Sequence, residues 1–157
     1  MDCPAGVPVV LMPIQPQYAT PIIEGRKKVE FRKTRFRTPP SHVVVYASSP
    51  VKCVVGYFEV THVETAAVDT LWEKYAAVGC IGEDDFVAYY GERDEGVVLG
   101  VGEVVVLAEP IPLEDLGLSG RPPQSFCYID RGVLGVIAGL GDVLRVADNA
   151  TVAAVVG

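Results

Sequence analysis

HVVVYASSPVKCVVGYFEVTHVE, residues 42–64, decides how the chain folds. HVVVYA at 42–47 is rich in β-branched residues, which are stiff at χ1 and suit a pleated strand better than a helix. Ser48, Ser49 and Pro50 break the run, and VKCVVGYFEVTHVE at 51–64 resumes as a long strand or hairpin half. Gly56 inside this second run predicts a bulge, where a sheet bends. The same pattern returns downstream as GVVLGVGEVVVLAEPIPL at 96–113 and upstream as PVVLMP at 8–13. Several hydrophobic strands of this kind need closure or cover to protect their edges. A small barrel with short helices packed at its ends meets that need, so the expected class is α+β.

The segments between these strands read as follows. Pro16 opens a short helix with Gln15 at the cap position, and Gly25 stops it in the left-handed conformation that glycine tolerates. Pro21 limits its length. KKVEFRKT at 27–34 predicts a strand with Lys28, Glu30 and Arg32 on one face and Val29 and Phe31 on the other. TPPS at 38–41 is a turn. DTLWEKYAAVG at 69–79 places Leu71, Trp72, Tyr75 and Val78 at helical spacing, with Trp72 and Tyr75 as core anchors. GEDDFVAYYGE at 82–92 predicts a second short helix whose acidic first turn suits the helix dipole. LEDLGLSGRPPQSFCYID at 113–130 is loop-rich, and the apolar tail at 132–157 predicts a helix over 132–139 followed by a strand. There is no internal repeat or long linker, and 157 residues are enough to bury one core, so residues 1–157 read as one domain.

Half of the residues are hydrophobic, which argues against a disordered chain. The N-terminus lacks the positive flank of a secretory signal, and no apolar run is long enough to span a membrane. A cytoplasmic location is expected. Cys3, Cys53, Cys80 and Cys127 are widely spaced, with no C-x-x-C pair, and read as reduced, mostly buried thiols. His42 and His62 have no ligand pattern around them, so no metal and no cofactor is expected.

The net charge of −7 is unevenly spread. Residues 26–37 hold seven of the 13 basic residues and one acid, a local charge of +6. The rest holds six basic and 19 acidic residues, −13. So concentrated a patch makes a local positive potential on an acidic protein and confines anion binding to one surface.

Four separated segments carry a family resemblance. Gly25, Lys27, Glu30 and Arg32 form G-x-K-x-x-E-x-R; Ile14, Pro16, Tyr18 and Ala19 form I-x-P-x-Y-A. Tyr46, Ala47, Ser48 and Pro50 make a Y-A-S-x-P turn, and Pro123, Gln124, Ser125 and Phe126 a later P-Q-S-F. Together they resemble the ASCH family of the PUA-like superfamily over residues 8–130, most closely the subgroup of predicted transcriptional regulators. The tail, residues 131–157, is an extension without a counterpart and of unassigned role. The resemblance implies a β-barrel with a cleft that binds RNA or a nucleotide, and in some members ribonuclease action or amide hydrolysis of an acetylated cytidine. A regulatory role with a protein partner is a further implication.

The chemistry of the hallmark strand allows two functions. As a binding module, Lys27, Lys28, Lys33 and Arg35 meet phosphates, and Arg32 meets a phosphate or base edge bidentately. Glu30 orients Arg32 or accepts from a base amino group. Ser48 and Ser49 on their turn, with Gln124 and Ser125, are candidate cleft-lining groups, and Tyr128 is placed with them. Phe31 reads as core and Phe36 as either core or stacking surface. As an enzyme, Lys27 and Glu30 are the candidate catalytic pair, with Arg32 stabilising charge on phosphate. The bland alternative is a Glu30–Arg32 surface ion pair beside a solvated Lys27. The hydrolase-like branch also needs a carboxylate from the helical insert. Its register falls near Gly79 or Cys80, where no acid stands; Glu83, Asp84 and Asp85 follow slightly later. This departure weighs against amide hydrolysis.

Overall fold

A computed structural model of the protein describes residues 8–140 and 143–148, Leu140 and the last six by backbone alone. In chain order the elements are β1 (Val9–Ile14), α1 (Pro16–Ile23), β2 (Val29–Arg32), β3 (His42–Ala47) and β4 (Cys53–Ala67). Then come α2 (Val68–Tyr75), α3 (Glu83–Tyr90), β5 (Glu95–Ile111), a 3-10 turn (Leu113–Leu116), β6 (Cys127–Ile129), α4 (Val133–Leu140) and β7 (Val143–Asp148). The mixed α+β class is as expected. The strands form one sheet in the order β2-β5-β4-β3-β1-β6, with β7 also on β5.

The centre of the sheet is the long hairpin of β4 and β5, paired antiparallel from Val54↔Ile111 to Ala67↔Glu95. Helices α2 and α3 are inserted at its far end. β5 is buried almost without interruption from Gly96 to Leu107, because both faces are covered, as a continuous apolar run requires. Leu99, Val101, Val104 and Val106 join the main core with Val10, Met12, Val43, Val45 and Phe58. Leu107 and Ile111 join a second cluster with Leu113, Leu116 and Ile137. The third cluster packs Val29, Phe31 and Val98 under Leu71, Phe86 and Tyr90 of α2 and α3. Fully burying one such side chain as Phe58 contributes about 1.5–3 kcal/mol.

Gly56 marks the predicted bulge. Val45 pairs with Gly56 while Tyr46 pairs with Val54, so Val55 is passed over. A Cβ at Gly56 would lie 2.3 Å from the Val105 carbonyl oxygen, so the strands approach too closely there for any side chain. The break at residues 48–50 is a tight turn with a cis Ser49–Pro50 bond, leading to Lys52 at positive φ.

Three details depart from expectation. The sheet is open: β2 and β6 end the strand path and do not pair, so no closed barrel exists among the described residues. The hallmark strand is four residues long, leaving Lys27, Lys28 and Lys33 outside it. Cys53, Cys80 and Cys127 are half-buried free thiols rather than buried ones. In the tail, α4 packs Val133 and Ile137 into the second cluster, and β7 pairs with the second half of β5. Cys3 and residues 149–157 lie outside the described residues. No helix among the described residues is long and apolar enough to cross a membrane.

Candidate nucleotide cleft on the open side of the sheet

The site is built where the sheet fails to close. Gly25, at φ +80°, ends α1 and turns the chain back. The backbone N–H groups of Arg26 and Lys27 both donate to the Pro21 carbonyl, and Lys28 N–H donates to the Val78 carbonyl at 2.9 Å. The Lys28 carbonyl in turn accepts from Val101 N–H of β5 at 2.8 Å. These bonds pin the segment between α1, the α2–α3 loop and β5, and they direct the Lys27 side chain inward.

Lys27 is 1 % exposed. Its Nζ donates to the Gly79 carbonyl, lies 3.6 Å from Glu30 Oε1, and faces the rings of Tyr18 and Phe31 at 5.5 Å each. A buried ammonium is tolerated when a carboxylate, a carbonyl and aromatic faces replace its water. The second Glu30 oxygen lies 3.3 Å from Arg32 Nη1. Arg32 Nη2 donates to the Ser125 carbonyl at 2.9 Å and approaches Ser125 Oγ at 3.4 Å, while Nη1 reaches toward the Pro13 carbonyl at 3.5 Å. Arg32 Nε is buried with no hydrogen-bond partner among the described residues. The guanidinium thus ties the β2 edge to β1 and to the segment before β6, across the gap that backbone pairing leaves open. The buried Tyr90 hydroxyl donates to the Arg32 carbonyl at 2.9 Å and fixes the end of β2; burial pushes its pKa up.

Lys27, Glu30 and Arg32 carry a net +1 into a cleft of about 330 Å³. That volume is at the small end of ligand sites, on the scale of a single nucleotide. Tyr18, Phe31, Ile81 and Tyr89 provide apolar and aromatic wall, while Gln15, Ser48 and Gln124 provide polar groups. Burial raises the pKa of the Tyr89 hydroxyl.

Of the residues singled out in the sequence, Lys27, Glu30, Arg32, Ser48 and Gln124 line this cleft. Ser125 supports it through Arg32. Ser49 is exposed on its turn, Lys28 is half-buried, and neither lines it. Lys33 and Arg35 are exposed on a neighbouring groove. The solvated Lys27 of the bland alternative is excluded by its burial. Arg32 is held by protein carbonyls, so the bidentate phosphate contact expected of it would first have to break those bonds. Phe31 belongs to the core but also presents to the cleft. Phe36 packs on Phe126 at 4.5 Å, and Tyr128 donates to the Thr38 carbonyl rather than lining the cleft. Trp72 and Tyr75 are both half-buried and pack against the third cluster: Trp72 lies tilted on Phe86 at 4.9 Å, and Tyr75 also bonds Glu64. Sequence reasoning missed Gln15, Tyr18, Ile81 and Tyr89 as wall residues. Tyr18 stood inside a quoted motif, but nothing in its spacing revealed that it faces Lys27.

The register that placed the missing hydrolase carboxylate near Gly79 lands on the atom that Lys27 contacts, a backbone carbonyl. Glu83, Asp84 and Asp85 are exposed on α3 and do not line the cleft. No group of three or more metal-ligating side chains occurs among the described residues.

Comparison with known proteins agrees with this architecture. Residues 12–116 match the ASCH domain family. An ASCH domain-containing ribonuclease of Zymomonas mobilis is 28% identical over 122 residues, covering 73% of this chain and 79% of the relative. Ribosomal protein uL22 of Ureaplasma parvum is 31% identical over 103 residues, 66% of this chain; the chain spans about a third (33%) of that relative's length. The crystal structure of ASCH from Zymomonas mobilis superposes with a TM-score of 0.75 at 23% identity, covering 85% of this chain and 96% of that one. The matched residues include the whole G-x-K-x-x-E-x-R segment and every strand of the β4–β5 hairpin, and the chain belongs to the ASCH domain family.

Proposed function

We propose that the protein binds RNA, with one nucleotide in the cleft formed by Tyr18, Lys27, Glu30 and Tyr89, and that it cleaves RNA if the Lys27–Glu30 pair acts on the bound strand. The observation that carries this reading is the buried Lys27 ammonium between two aromatic rings and a carboxylate, at the wall of a nucleotide-sized cleft. Tyr18 and Tyr89 offer faces on which a base can stack. The Gln124 amide offers both a donor and an acceptor to a base edge. Lys27 supplies positive charge for a phosphate.

The ribonuclease reading is favoured by the Zymomonas mobilis relative that carries that name. Cleavage would need Glu30 to take the 2′-hydroxyl proton as the oxygen attacks phosphorus, and Lys27 to protonate the leaving 5′-oxygen. Arg32 then keeps Glu30 aligned. Amide hydrolysis of an acetylated cytidine has less support, because a carbonyl occupies the place where the resemblance expects a carboxylate. A regulatory role and a protein partner rest on the resemblance to transcriptional regulators alone. The barrel description is kept only in the sense that Arg32 bridges the gap that strand pairing leaves.

The test is incubation of the protein with end-labelled single-stranded RNA and, separately, with N4-acetylcytidine, beside Lys27→Met. RNA fragments formed by the wild type and lost in the variant establish the ribonuclease. Retention without fragments, weakened in the variant, establishes a binding module. Deacetylation of the nucleoside with no RNA retention would overturn the RNA reading.

A further inference from the structure

A second basic surface adjoins the cleft. Lys33, Arg35 and Arg93 line an open groove of about 610 Å³ beside Thr65 and the start of β5. None of its lining residues lines the cleft. The two are nonetheless contiguous, because the Lys33 ammonium lies 4.6 Å from the ring centre of Tyr89, a cleft wall. The three cations are differently engaged. Arg35 is paired with Glu95 at 2.5 Å. Lys33 and Arg93 are exposed and make no ion pair among the described residues.

We propose that this groove is a second subsite, which holds the phosphodiester backbone of single-stranded RNA as it leaves the cleft across Tyr89. The inference rests on the cleft being a nucleotide site, and it names the ligand as an oligonucleotide rather than a free nucleoside. An aromatic face followed by cations along a groove is how single strands are held without sequence preference: the ring stacks a base and the cations track phosphates. Lys33 and Arg93 are the available phosphate contacts. Arg35 is a reserve contact, because Glu95 occupies its guanidinium and, with Asp94, offsets the groove's charge. Glu95 therefore limits affinity, and a phosphate must displace it to gain the third cation.

The test uses the full chain, a fluorescent oligouridylate of about eight nucleotides and uridine monophosphate, with affinities measured across a salt series. For Lys33→Ala combined with Arg93→Ala, oligonucleotide binding weakens and the log–log salt slope falls by about 1.4, since each single-strand phosphate contact adds about 0.7. Between about 50 and 200 mM salt the wild type then loses about sevenfold more affinity than the variant. Monophosphate binding is unchanged, and unchanged thermal unfolding confirms an intact fold. Glu95→Gln has the opposite effect, tighter oligonucleotide binding with a steeper slope. Unchanged oligonucleotide affinity and slope in the double variant would overturn the groove, as would equal weakening of oligonucleotide and monophosphate. A wild type that binds the monophosphate but the oligomer no tighter sinks the groove and leaves the cleft reading standing. A wild type that binds neither sinks the cleft reading and the groove with it.

Discussion

Replacing Glu30 by Gln tests whether the buried triad is organised around its carboxylate. Glu30 is 5 % exposed and Lys27 1 %, and the Arg32 side chain is 11 % exposed. The carboxylate faces Nζ at 3.6 Å on one oxygen and Nη1 at 3.3 Å on the other. Its neutralisation leaves two buried cations sharing one site with no counter-charge, and breaking a buried pair from one side costs about 3–5 kcal/mol. For a domain of this length the melting temperature should fall by roughly 6–20 °C. Lys27→Met is predicted to cost less, because Glu30 keeps Arg32 and an ammonium no longer has to be desolvated. The two changes are coupled: in the Lys27→Met background Glu30→Gln should cost less than it does alone, by about 1–3 kcal/mol. Urea unfolding of the four proteins of this cycle reads the difference directly. Additive effects, or Lys27→Met costing as much as Glu30→Gln, would refute the claim that the carboxylate holds the cations together.

Three further outcomes follow from the structure, two at the cleft and one at the start of β3. Gly79→Ala places a Cβ 2.5 Å from Phe31 Cε2 and should destabilise by about 1–3 kcal/mol, while moving the carbonyl that receives Lys27; thermal unfolding and RNA retention should both show the loss. Arg32→Lys keeps the charge but cannot span the Ser125 and Pro13 carbonyls, so it should cost about 1.5–3 kcal/mol, with faster amide exchange over residues 125–129 seen by mass spectrometry. The His42 pKa is lowered chiefly by burial and further by Arg131. Because the folded pKa lies below the unfolded value near 6.5, the unfolded chain takes up a proton first. Stability attributable to His42 is therefore complete above about pH 6.5 and is lost as pH falls through the folded pKa. His42→Gln should flatten the stability profile in that acidic window.

How much of this was legible depended on how local the cause was. The strands at 42–47, 51–64 and 96–113 are visible because β-branched runs report their own burial. The bulge was visible because Gly56 interrupts such a run, and the structure supplies the reason in the Val105 carbonyl. Closure was not legible. It depends on whether β2 and β6 come within pairing distance, and two short strands at opposite ends of the path do not. A side chain spans the remaining gap, and nothing in the spacing of Arg32 and Ser125, 93 residues apart, announces that.

The hallmark strand shows the same limit at the site. Seven basic residues in twelve suggest a uniform phosphate-binding face, but the fold divides them by where β2 begins and ends. Lys27, just before the strand, is drawn inward by the Val78–Gly79 loop. Arg32, its last residue, is turned across the gap. Lys33 and Arg35, just after it, emerge on the far side of Tyr89. Charge counting treats the three groups as one patch, whereas burial separates Lys27 from cations that stay in water. Only the exposed group can carry the salt dependence expected of a phosphate track. A strong salt slope that survives Lys27→Met and disappears with Lys33 and Arg93 is therefore the signature that the division is functional and not merely geometric.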